Sequence, residues 1–269
     1  MKSSIYDSHL LETINKAYSG RPNARKLRRK ERALERAVQT ELDREKAFVL
    51  EEYAKLLDGG KAFRRGGNIL SKSTSSDLDA IFDDLNPDLL IQIVLEHAQT
   101  AMQFGADYRI KESNLAEIGI SFDLLNPLAV QYLQTDRPLV LANMTDTTKN
   151  EIKPILQAAL DSGQSYNETA REIADAFAFS RDRSLMIAVN EIGHAYEWGN
   201  YVPMKDAQDK GHKSEKSWLT VGDDRVTEEC NANQRMGWLM LDRPFASGDL
   251  TAPRTSNPRC RCTTLYRIS

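Results

Sequence analysis

The sequence predicts an α+β fold that is predominantly α-helical, with a long charged N-terminal helix, a helical middle and a small C-terminal α+β unit of short strands. Three observations carry this. Apolar residues recur at helical spacing through long runs free of glycine and proline. Helix-start signals precede several of those runs. From about Ser214 glycine and proline return, and apolar residues come in short bursts. The chain thus reads as a charged helical arm (1–67), a helical body (68–201) and an α+β unit (202–269).

In the arm, Arg25-Lys26-Leu27-Arg28-Arg29-Lys30 opens a run in which Leu27, Leu34, Val38, Leu42, Val49, Tyr53 and Leu56 are spaced helically. A helix of about thirty residues spans about 45 Å. Its apolar stripe is thin and charge fills the gaps, so the helix is expected to pack on a partner or a second helix outside a compact core. Gly59-Gly60 is expected to stop it, and the Gly/Ser/Lys segment 66–76 reads as a loop.

The body has two Asn-Pro starts, Asn86-Pro87 and Asn126-Pro127. Asparagine caps, and proline suits the first turn, where an N–H has no partner anyway. The first of these helices is expected to end at Gly105. Another should begin near Thr145 and be kinked or split at Pro154. Ser165-Tyr166-Asn167-Glu168 is a capping box, and Asp182 is expected to cap the helix after it. In the last unit, Trp218 to Val221, Trp238 to Leu241 and Thr263 to Ile268 read as strands, and Asp224 as the cap of a helix from Arg225 to Asn231.

Composition excludes several classes. The hydrophobic fraction is 41% and the charged fraction 28%. No apolar run approaches the roughly 20 residues of a membrane span, and no membrane partner is expected. Met1 to Asp7 has no apolar core, so no secretory leader is expected. Three cysteines, all near the C-terminus, do not make a disulfide framework and fit a reducing compartment. There is no P-loop, no Gly-x-Gly-x-x-Gly, no Gly-x-Ser-x-Gly and no paired-histidine motif. Net charge is −3, so only a local patch could attract nucleic acid. Arg25, Lys26, Arg28, Arg29 and Lys30 form such a patch and could touch phosphates. The competing reading is a solvated face, because Glu31, Glu35 and Glu41 interleave with the cations.

The densest constellation is C-terminal: Trp218, Thr220, Asp223-Asp224-Arg225, Cys230, Gly237, Pro244, Asn257 and Cys260-Arg261-Cys262. It resembles the phage Mu F-like minor head proteins, the head morphogenesis family, with their Trp-x-Thr, Asp-x-Arg and closing Cys-x-Cys. Cys230 stands where histidine is common, and Arg259 where asparagine usually precedes the first cysteine. Upstream, Gly163-Gln164-Ser165, then Glu168 to Phe179, then Arg183 to Glu191 follow the family's layout. The resemblance therefore runs from about Asn126 to Ser269. It implies a structural, non-enzymatic head protein of a tailed bacteriophage, in the virion. Its implied partners are portal, capsid or scaffold proteins, and it lies close to packaged DNA.

Trp218, Asp223, Arg225, Cys230, Cys260 and Cys262 are expected to form one spatial cluster. In an extended segment Cys260 and Cys262 project to the same side. Three chemical readings fit the cysteines: buried reduced thiols, a structural zinc site with His212, His194 or an acid as fourth ligand, or a disulfide from Cys230. Two other functions fit residue types alone. One is a metal-dependent nuclease or hydrolase using Asp223, Asp224, Glu228 and Glu229. The other is a zinc-stapled interaction module. Against the nuclease, the acids suit helix capping and the dipole of a first turn. His194, on an apolar helix, reads as a hydrogen-bonded core or interface residue.

Overall fold

The computed structural model describes residues 23–57, 62–65, 68–71, 75–85, 87–224, 226–253, 257 and 260–268. The elements in chain order are α1 (Ala24–Leu56), β1 (Ala62–Arg65), β2 (Asn68–Ser71), α2 (Ser75–Asp83), α3 (Pro87–Glu112), α4 (Pro127–Gln131), α5 (Arg137–Ser162), α6 (Tyr166–Asp175), α7 (Arg181–Asp209), β3 (Ser214–Leu219), α8 (Glu228–Arg235), β4 (Leu239–Met240) and β5 (Thr263–Ile268). The fold is α+β and mostly helical, as the sequence predicts. Among the described residues no helix is long and apolar enough to cross a membrane.

The described residues pack as two compact units, one drawn from within 1–33, 95–135 and 186–269, the other from within 34–94 and 136–185. In the second unit, α1 corrects the expectation of a helix outside any core. Leu34, Val38, Leu42, Val49 and Tyr53 are fully buried, and Leu27 nearly so in the first unit. Each such side chain stabilises by about 1.5–3 kcal/mol. Glu31, Glu35 and Glu41, expected on a solvated face, are buried too, and so is Glu45. They fall between the leucines on the same helical stripe, so the buried face is wider than its apolar residues. Arg181 donates to Glu35 (2.9 Å) and Arg44 to Glu41 (2.9 Å). Glu45 lacks an equivalent clamp, and burial pushes its carboxyl up to about 7 against the pull of Arg183. Arg183, itself buried, donates to Thr148 (2.9 Å) and to the carbonyl of Ala178.

Other local expectations divide cleanly. Ser165 and Glu168 form the capping box at α6. Asn126 caps α4, accepting from the Leu128 N–H at 3.0 Å. The cap of α7 is Ser180, whose hydroxyl accepts from Arg183 N at 3.2 Å, and Asp182 sits in the first turn instead. The helix expected near Thr145 starts at Arg137 and is not split at Pro154. β2 lies inside the segment expected to be a loop and pairs antiparallel with β1, from Ala62 with Ser71 to Arg65 with Asn68. Asn86 and Gly59-Gly60 lie outside the described residues.

In the first unit, α3 does not end at Gly105 but continues to Glu112. Gly105 marks a helix crossing. A Cβ there would overlap the carbonyl oxygen of Tyr196 on α7, and a Cβ on Gly199 of α7 would overlap the carbonyl oxygen of Met102 on α3. Two glycines thus let the backbones touch reciprocally, which no other residue allows. Around the crossing, Arg109 donates to Asn200 (3.3 Å), and Asn200 donates to the Tyr196 carbonyl (2.9 Å).

Gly199→Ala is expected to destabilise the chain by at least about 1–3 kcal/mol, because backbone overlap cannot be relieved by a rotamer change. Gly193→Ala, on the same helix, meets only Pro253 at 3.7 Å. It should be neutral or stabilise by up to about 1 kcal/mol through helix propensity. Urea denaturation of the two variants beside the parent checks the contrast.

Candidate functional site

The C-terminal part of the first unit is built on the three-stranded antiparallel sheet β4-β3-β5. β3 pairs with β5 from Ser214–Ile268 to Leu219–Thr263, and Lys216 of β3 faces Leu239 of β4. Helix α7 backs this sheet. Its buried Glu197 accepts from the Thr263 hydroxyl and, at 3.4 Å, from the Thr264 N–H at the start of β5. Tyr201, Met204 and Ala207 of α7 share a core with Leu241 and Tyr266.

The second core of this part contains Trp218, Cys230, Leu239, Phe245, Ala252, Cys260 and Cys262. The Trp218 and Phe245 rings meet edge-on with centroids 5.0 Å apart, a geometry favoured by the ring quadrupoles. Cys230 comes from the first turn of α8. The cap of that helix is Thr227, whose hydroxyl accepts from Cys230 N–H (3.4 Å), rather than Asp224. Glu228 and Glu229 lie in its first turn, where carboxylates suit the dipole. Cys260 and Cys262 flank Arg261 just before β5.

The three sulfurs lie within 4.8 Å of one another, all buried, with Cys230 Sγ 3.7 Å from Cys260 Sγ. Hydrogen bonds from Cys230 and Cys260, then burial, push the Cys262 thiol up. No disulfide joins them. Asp223 is tied to this cluster through Arg261, which donates to its Oδ2 at 2.7 Å. Arg261 is therefore the partner of Asp223 that the sequence reading passed over. Arg225 lies outside the described residues.

His212 stands in the turn between α7 and β3, where its N–H bonds to the Ala207 carbonyl (3.1 Å). It is not part of the sulfur group, and neither is His194, which is buried on α7. Among the described residues, Asp223, Asp224, Glu228 and Glu229 do not converge into a metal-binding group. The arrangement lacks the carboxylate clamp that metal-assisted hydrolysis needs. Of the basic patch, Arg25, Lys26 and Arg29 are exposed on α1, and Arg28 and Lys30 are half-buried. Lys26 and Lys30 lie over the Phe104 ring, at 5.4 and 5.8 Å from its centre.

Residues 150–265 match the model of the Phage Mu protein F like protein family. That stretch runs from within α5 to the middle of β5, and it includes Trp218, Cys230, Cys260 and Cys262, the residues on which the resemblance rests. No curated protein and no solved structure gives a match.

The matched stretch also contains a residue that its sequence gave no reason to single out. Lys216 is fully buried, donates to the Leu250 carbonyl (2.7 Å) and lies 5.0 Å from the centre of the Phe245 ring. A lysine between Glu215 and Ser217 reads as solvent-facing, and only the fold brings the Leu250 carbonyl onto it. Burial lowers its pKa to about 8 from an ordinary 10.5. Between those values the unfolded chain binds more protons than the folded one, so this residue makes stability rise with pH across that window. Lys216→Met is expected to flatten that rise. Urea midpoints of parent and variant at the two ends of the window read the difference, and parallel pH profiles would contradict it.

Proposed function

We propose that the chain is a structural head morphogenesis protein of a tailed bacteriophage, incorporated in the virion near the portal. The observation that carries this reading is the family match over residues 150–265. The packing of that stretch supports it. Its most distinctive side chains, Trp218, Cys230, Cys260 and Cys262, are committed to a closed core, and Asp223 to an ion pair with Arg261. These are the roles of residues that hold a scaffold rather than turn over a substrate.

The proposal extends to DNA. Arg25, Lys26, Arg28, Arg29 and Lys30 occupy the first two turns of α1, and no acid lies in its first turn. Cations there oppose the helix dipole, and phosphate groups of packaged DNA would offset that. Binding of this kind weakens steeply with salt through counterion release.

Co-expression with the portal, scaffold and capsid proteins of the phage or prophage that encodes the chain tests the reading. The chain is expected to sediment with procapsids, and to bind DNA with an affinity that falls on adding salt and on the change Arg25→Glu/Lys26→Glu/Arg29→Glu. Procapsids that assemble without the chain present would overturn the head role. DNA binding unaffected by the triple change would overturn the assignment of the patch.

A further inference from the structure

We propose that Cys230, Cys260 and Cys262 bind one zinc ion through their three thiolates and so staple the C-terminal unit. The inference is independent of the phage-head reading, since it rests on sulfur geometry alone. Zinc–sulfur bonds of about 2.3 Å in a tetrahedral arrangement place the sulfurs about 3.8 Å apart. Cys230 and Cys260 are 3.7 Å apart, and all three sulfurs lie within 4.8 Å of one another. Little movement is needed to centre an ion among them. A disulfide would need about 2.05 Å, would use only two sulfurs and would leave the third buried beside it.

The surroundings suit thiolates. Cys230 sits in the first turn of α8, where the helix dipole favours negative charge. Binding releases three thiol protons and leaves a zinc–trithiolate of net charge −1, which that dipole moderates. Among the described residues no histidine, carboxylate or further cysteine joins the group, so the three thiolates are the ligands this chain is proposed to supply.

The reason for a staple is also visible. β4 has two residues and α8 eight, and the described residues of the long connection from β4 to β5 form no helix or strand. Small units of this kind need a further constraint. An ion bound by Cys230 at one end and by Cys260 and Cys262 at the other ties α8 to the approach of β5. Binding energy at such a site becomes folding energy.

The test uses the full chain, purified with reductant and zinc and then desalted. Stoichiometric zinc by elemental analysis, a thiolate-to-cobalt charge-transfer band after cobalt replacement, and a lower Tm with chelator are expected. Cys230→Ser and Cys262→Ser should each lose the metal while keeping the parent's far-ultraviolet circular dichroism. Zinc at background with a Tm indifferent to zinc and chelator would overturn the proposal. So would stoichiometric zinc in Cys262→Ser, or the loss of two free thiols in the parent chain purified without reductant. Should the variants not fold, stoichiometry and the cobalt band in the parent chain decide.

Discussion

The contact on which the rest of the first unit depends is the crossing of α3 and α7. Gly105 and Gly199 each face a carbonyl of the opposite helix, and neither site has room for a methyl group. Such closeness sets the position of α7 to within an atom's width. It also brings Arg109 of α3 to Asn200 of α7 and over the Tyr266 ring of β5, 4.9 Å from its centre. One helix pair thereby fixes the sheet that α7 backs. Polar groups do part of that fixing, which is unusual enough to shape the energetics. Glu197, Asn200 and Arg109 are all buried or nearly so, and buried polar groups cost heavily unless their partners are in place.

From α7 outward the order of dependence is clear. Glu197 holds the start of β5, and β5 holds β3. β3 carries Trp218 and Lys216 into the second core, where the cysteines close it. Lys216 links that core to the connection at Leu250, and Thr264 accepts nothing less specific: its hydroxyl oxygen takes the Ala252 N–H at 2.8 Å. The long connection between β4 and β5 is thus pinned at Leu250 and Ala252, although its described residues form no helix or strand. Trp218, Cys230, Cys260 and Cys262, which stand out in the sequence, are thus the side chains that close this core.

How much of this the sequence disclosed follows from the range of each interaction. Caps made within three residues, such as Ser165 with Glu168 and Asn126 with Leu128, were legible, since all their atoms are local. The strand from Thr263 to Ile268 was legible from composition, whereas the one expected at Trp218 to Val221 lies earlier, as Ser214–Leu219. Ser180 and Thr227 were passed over for the acids nearby, because Asp182 and Asp224 are equally good caps in isolation and only the backbone path chooses. Gly66-Gly67 between two short strand-like runs was a hairpin signal, obscured by the polar residues around it. The crossing at Gly105 and Gly199, the burial of Glu31 to Glu45 and the covering of Lys216 depend on contacts from distant parts of the chain. No local pattern encodes those. In the site, the cysteine spacing and Trp218 pointed to one place, whereas the Asp223–Arg261 pair needed the fold to distinguish Arg261 from its neighbours.

The central claim is that α7 and the sheet it backs form one cooperative structure organised by the α3 crossing. Native-state hydrogen exchange followed through increasing denaturant tests it most directly. The account predicts that amides of α7 around Tyr196 to Tyr201, of α3 around Met102 to Arg109, and of β3 and β5 open together with a single free energy and denaturant dependence. Opening of β3 and β5 at a markedly lower free energy, while α3 and α7 stay protected, would contradict it.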